Sequence, residues 1–135
     1  MRDSNHNDPN SELLRRGYEA LATGNSAAIR RVLADDMRWR VPGRTPLSGE
    51  YNGYEQVLGL LSKRTELSNR TFRIDVDEML TEHDRVAVLC TVSAERYGQY
   101  WSSPAIHLWR IRDHKAAELW EFPLDQHGEH EFWSA

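Results

Sequence analysis

Apolar residues recur along the first part of the chain at helical spacing. Asp8 followed by Pro9 reads as an N-cap with proline in the first turn; Leu14, Tyr18 and Leu21 then share one face, and Gly24 stops the run. Asn25 or Ser26 caps a short second helix with Ile29, Val32 and Leu33 on one face, which the pattern carries to Ala34-Asp35-Asp36. Met37-Arg38-Trp39-Arg40-Val41 alternates apolar with charged, the period of a strand with one wet face, and Pro42-Gly43 ends it. Residues 44–52 read as a long loop. Gly53 then introduces a third amphipathic helix from Tyr54 to about Leu67, with Val57, Leu58, Leu60 and Leu61 apolar.

From Thr71 the period changes. Residues 71–82, 85–97, 99–112 and 115–122 are β-rich runs, separated by His83-Asp84, Gly98 and Asp113-His114, each short enough for a hairpin. Three helices with one early strand, followed by hairpin-linked strands, predict an α+β domain rather than alternating βαβ units. The sheet is expected to be mostly antiparallel and to curl around the helices. Residues 1–7 are polar and expected to fray, leaving 8–135 as one domain with no repeat or linker to divide it.

Composition narrows the function. The 135 residues are enough for one core without a disulfide or metal staple. Seventeen Lys and Arg against twenty-one Asp and Glu give a net charge of -4, which argues against a nucleic-acid or anionic-membrane partner. The single Cys90 lies in a Val-rich run and has no internal disulfide partner, as fits a reducing cytoplasm. The first ten residues lack the apolar core of a signal peptide, and no stretch approaches the ~18 apolar residues of a membrane span. Five Trp, five Tyr and three Phe are many for a small acidic domain, and suit a hydrophobic interface or a pocket wall.

An ordered set of segments carries a resemblance. Leu14-Arg15-Arg16-Gly17-Tyr18-Glu19-Ala20-Leu21, Leu33-Ala34-Asp35-Asp36-Met37-Arg38-Trp39, Val41-Pro42-Gly43-Arg44, Leu47-Ser48-Gly49 and Tyr51-Asn52-Gly53 are similar to a SnoaL-like domain of the nuclear transport factor 2-like superfamily. Trp109-Arg110-Ile111-Arg112-Asp113, Glu118-Leu119-Trp120-Glu121-Phe122, Asp125-Gln126 and Phe132-Trp133 continue the match, which runs from about Leu13 to Trp133. The resemblance implies a cone-shaped curved sheet on three N-terminal helices, an internal pocket, no cofactor, and a homodimer through the outer face of the sheet. Such folds host isomerases, polyketide cyclases, dehydratases, epoxide hydrolases and proteins without chemistry. The steroid isomerase branch carries an aspartate before a proline near the first strand, where this chain has Val41 before Pro42. The Asp-Arg-Asp set of limonene epoxide hydrolases is not visible either.

The resemblance places His107 at a pocket-lining position and Glu121 where related cyclases carry an acid. An imidazole and a carboxylate facing one cavity can pass a proton. Whether they share a face depends on one hairpin. A three-residue loop, Asp113-His114-Lys115, pairs His107 with Glu121; a two-residue loop, Asp113-His114, pairs His107 with Trp120 and sends Glu121 to the opposite face. Asp125, after Pro123, either holds or protonates substrate or belongs to a C-terminal turn. Asp35-Asp36 reads as a turn or cap. Arg96 and Arg40 are either inward charges able to steady an enolate or solvated strand ends.

Tyr18, Trp39, Arg96, Trp109, Trp120 and Phe122 complete the substrate-contact candidates, while Trp101 and Trp133 are expected at a partner subunit or over the cone mouth. The six histidines show no metal-ligand spacing, and no glycine-rich phosphate loop is present, so neither metal nor cofactor is expected. The expected function is cofactor-free acid/base catalysis on a small hydrophobic metabolite, by cyclisation, isomerisation or dehydration. The alternatives are a non-catalytic ligand-binding module, with few inward polar groups already bonded to each other, or a dimerisation domain.

Overall fold

The computed structural model describes residues 8–135 and the backbone of residues 2–3. The fraying expected of residues 1–7 lies outside the described residues, apart from β1 (Arg2–Asp3), whose backbone pairs in parallel with Glu78 and Met79.

Helix α1 (Pro9–Thr23) begins where its cap predicts: the Asp8 carboxylate accepts from the backbone N–H groups of Asn10 and Ser11, and Gly24 closes the helix at φ 67°. Helix α2 (Ser26–Val32) is capped by Asn25 and is shorter than expected. Residues 33–36 belong instead to β2 (Leu33–Val41), because Leu33 already pairs in parallel with Ala116 and the sheet claims the segment. Part of the expected loop is likewise a strand: β3 (Gly49–Asn52) runs antiparallel to β2, with Glu50 held to Arg38 at 2.9 Å. Helix α3 (Tyr54–Leu67) follows directly.

The second half forms a meander of β4 (Arg73–Glu82), β5 (Arg85–Arg96), β6 (Gln99–Arg112) and β7 (Lys115–Pro123). All three connections are two-residue turns, pairing Glu82 with Arg85, Arg96 with Gln99 and Arg112 with Lys115. Tyr97-Gly98 and Asp113-His114 have positive φ at both positions, the hairpin geometry that matches strand twist.

Helix α4 (Gln126–Ser134) was not expected from the sequence. Asp125 caps it by accepting from the Gly128 N–H at 2.9 Å. The fit needs a glycine, since a Cβ on residue 128 would lie 2.0 Å from an Asp125 carboxylate oxygen.

The seven strands form one sheet in the order β1-β4-β5-β6-β7-β2-β3, antiparallel except for the β1–β4 and β2–β7 pairs. Its inner face is laid out in cross-strand rows. One row runs Trp39, Leu119, Trp109, Val86; the next runs Glu121, His107, Val88, Met79. The first is wholly apolar or aromatic and packs under α1 and α2, and the second carries the chemistry. Among the described residues no helix is long and apolar enough to cross a membrane.

Candidate active site

Neither hairpin expected from the sequence is the one formed. The turn holds two residues, so Ile111 pairs with Ala116, but the register then slips by one residue and Arg110 pairs with Glu118. Ala117 is the extra residue, and both Ala116 and Ala117 are buried, as a β-bulge that breaks the inside-outside alternation requires. The slip brings His107 opposite Glu121, so both side chains point to the concave face.

His107 is buried, and its Nδ1 lies 2.8 Å from the Tyr18 hydroxyl. That hydroxyl accepts from the Trp109 indole N–H at 2.9 Å. The Tyr18 and His107 rings lie nearly parallel, 10° apart, with Trp109 edge-on to Tyr18. Burial lowers the imidazole pKa; the Glu121 charge works the other way without reversing it. His107 is therefore neutral, and Tyr18, pushed well above the usual phenol value chiefly by burial, stays a phenol. The Cys90 thiol lies 3.8 Å from Nδ1 and is pushed up to about 12, mainly by burial, so it is no nucleophile.

Glu121 sits between two donors. Arg64 Nη2 reaches one carboxylate oxygen at 2.6 Å and the Trp39 indole N–H donates to the other at 2.7 Å. Burial pushes this carboxyl up, but the Arg64 guanidinium and the hydrogen bonds outweigh it, and the net shift is downward. Glu121 is thus a carboxylate, and Arg64 is pinned between it and the Phe72 ring, 4.9 Å away.

His107, Glu121 and Arg64 open onto one cavity, walled by Leu47, Phe72, Val92 and Trp133. A second carboxyl lines it: Glu129, from α4. Burial, with the Glu121 and Asp125 charges, pushes Glu129 up to about 7, where a carboxyl can both give and take a proton at neutral pH. The cavity is about 20 Å³, room for roughly one water molecule. α4 contributes Glu129 and Trp133 to its lining.

A family model described as a SnoaL-like domain matches residues 14–119. This chain belongs to the SnoaL-like domain family. A Xanthomonas campestris protein of unknown function with a cystatin-like fold is 30% identical to this SnoaL-like domain and superposes with a TM-score of 0.87, over 93% of this chain and 98% of its own. A nuclear transport factor 2-like protein of unknown function from Burkholderia pseudomallei shares the fold at 22% identity, with a TM-score of 0.85 over 95% and 99% of the two chains. So does TerC, crystallised with polyporic acid, at 23% identity and a TM-score of 0.85 over 95% and 100%.

Within this SnoaL-like domain the sequence-derived candidates divide. His107 and Glu121 line the cavity, and Tyr18, Trp109 and Trp39 stand behind them as hydrogen-bond partners. Trp133 lines the same cavity, and Trp101 stacks on Phe132 of α4. The other expectations need correction. Asp125 is spent as the α4 cap. Arg96 is buried, but it donates to the Leu67 and Phe132 carbonyls and ties α4 to the end of α3. Trp120 and Phe122 flank Glu121 in β7 and so face outward. Arg40 covers the Trp120 ring at 4.5 Å and pairs with Glu118, and Phe122 is 51% exposed.

Two site residues were missed. Arg64 had a signal: it continues the buried stripe of Tyr54, Val57 and Leu60, where a charge must find a partner. Glu129 had none, since Gln126–Ser134 is polar until Phe132.

Proposed function

We propose that this protein is a cofactor-independent enzyme that moves a proton on a small hydrophobic metabolite, in a cyclisation, isomerisation or dehydration. The observation that carries the reading is the pairing of His107 with Glu121 across β6 and β7, with both side chains on one cavity. His107 supplies a neutral imidazole, Glu121 fixes the local charge through Arg64, and Glu129 titrates where proton transfer at neutral pH needs it. The apolar remainder of the wall suits a hydrophobic guest, and TerC, of the same fold, was co-crystallised with polyporic acid. Admission of such a guest requires α4 and the segment carrying Leu47 to move aside, because the cavity holds little more than water.

Deuterium uptake tests the reading. Small cyclic ketones in D2O, followed by NMR, should exchange the protons beside the carbonyl faster with wild type than with His107→Ala or Glu121→Gln. Equal rates for all three proteins across the panel would leave the ligand-binding module as the function. That second reading has its own support, since Glu121 is bonded on both oxygens and His107 Nδ1 is engaged.

The partner expected on the outer face is a second copy of this chain. Ile106 and Phe122 pair there, 44% and 51% exposed. Phe122→Lys should then lower the mass seen by sedimentation from dimer to monomer. The free, buried Cys90 fits a reducing compartment, the cytoplasm.

A further inference from the structure

The hydrogen-bond chain behind His107 has a direction. An indole N–H can only donate, so at 2.9 Å the Tyr18 oxygen accepts from Trp109. The Tyr18 hydroxyl then has its own hydrogen to place. The acceptor within reach is His107 Nδ1, at 2.8 Å. The opposite arrangement, with the hydrogen on Nδ1, would aim two N–H groups at one oxygen and strand a buried hydroxyl hydrogen. Cys90 Sγ, 3.8 Å from Nδ1, would accept an Nδ1–H only weakly, and the Tyr18 hydroxyl hydrogen would still be stranded.

A second observation concerns Arg64. Three buried side-chain donor atoms lack a partner among the described residues: Arg40 Nη1, Arg64 Nε and Trp101 Nε1. Of these residues only Arg64 lines the cavity with His107. Its side chain is 7% exposed, and its Nε–H is a donor of a cavity-lining guanidinium that no protein acceptor uses among the described residues.

We infer that Trp109 and Tyr18 lock His107 with its hydrogen on Nε2, and that His107 and Arg64 together form a donor subsite for an oxygen of the ligand that carries no hydrogen. Carbonyl and phenolate oxygens are of that class. His107 on this assignment donates to the ligand and does not act as its base, which leaves the moving proton to a carboxyl. The inference rests on the reading that a small molecule enters this cavity, and it assigns the chemistry of one end of that molecule. Tyr18 and Trp109 are positioning residues, acting through His107.

Long-range 15N–1H correlation spectra of the full chain test the lock without any substrate. In wild type the Nε2–H form of His107 is expected to exceed the Nδ1–H form by roughly tenfold or more. Tyr18→Phe or, where that variant does not fold, Trp109→Phe should release the lock and raise the Nδ1–H share. Wild type with Nδ1 protonated would overturn the inference, as would a tautomer ratio unchanged in both variants. Cyclopentanone and its isostere methylenecyclopentane test the subsite: the ketone should shift the His107 Nε2 resonance and the hydrocarbon should not. Equal shifts from both, or none from either, would overturn it. Failure of deuterium exchange with the tautomer lock intact removes the catalytic reading alone; the reverse result removes the lock alone.

Discussion

His107 on β6 stands directly across from Glu121 on β7, although the turn joining their strands holds only two residues. Ala117 makes the difference. Were Ala117 paired as an ordinary strand residue instead of bulged, the register set at Arg112 and Lys115 would carry on unbroken, bringing Trp120 opposite His107 and turning Glu121 out of the cone.

Deletion of Ala117 should therefore make the ladder regular while keeping Arg110 opposite Glu118 and His107 opposite Glu121. Arg64 would keep the carboxylate 2.6 Å away, so the loss of about 3–5 kcal/mol that follows a buried charge left without its partner should not appear. Urea denaturation checks it, and a loss of that size would mean that Glu121 no longer reaches Arg64.

The same pair predicts a non-additive result. Arg64→Met alone strands a buried carboxylate and should cost about 3–5 kcal/mol, whereas Arg64→Met with Glu121→Leu should recover most of it, because paired apolar replacements leave no orphan charge. Denaturation of the two single variants and the double closes the cycle. Additive losses would show that the 2.6 Å contact is not a coupled pair.

Glu129 predicts a pH dependence of known sign. Its carboxyl is raised from 4.5 to about 7, so between those values the folded chain keeps a proton that the unfolded chain has released, and stability falls as pH rises through that window. Glu129→Gln should match wild type below pH 4.5 and be more stable above pH 7, by about 1–2 kcal/mol once solvent screening is discounted. Melting curves at the two ends decide it; equal stability at the alkaline end would place Glu129 in free solvent.

Asp125, the cap of α4, carries a different expectation. Asp125→Ala removes the bond to the Gly128 N–H and should cost about 1 kcal/mol of stability. Asp125→Asn, which keeps a capping oxygen, should restore most of it. A loss of proton exchange in both variants, with stability intact, would return Asp125 to the site.

How much of this was legible follows the range of the forces involved. The Asp8 cap, the Gly24 stop and the three turns are set by neighbours in sequence, and the residues there announce them. β3 and the start of β2 depend on partners far along the chain: Leu33-Ala34-Asp35-Asp36 reads as a helix end until β7 is present to pair with it. The bulge left only a faint mark, two alanines in succession where a strand should alternate. α4 left less, because a polar segment ending in Phe132 and Trp133 becomes a helix by virtue of one cap, one permissive glycine and the burial of those two rings. Resemblance named His107 and Glu121, but their facing each other was a matter of register, which only the assembled sheet settles.

Register can be measured without knowing the substrate. Inter-strand nuclear Overhauser contacts between backbone protons of β6 and β7 should join His107 to Glu121 and Trp109 to Leu119, with the ladder stepping by one residue at Ala117. Contacts joining His107 to Trp120 would put Glu121 on the outer face and contradict the site.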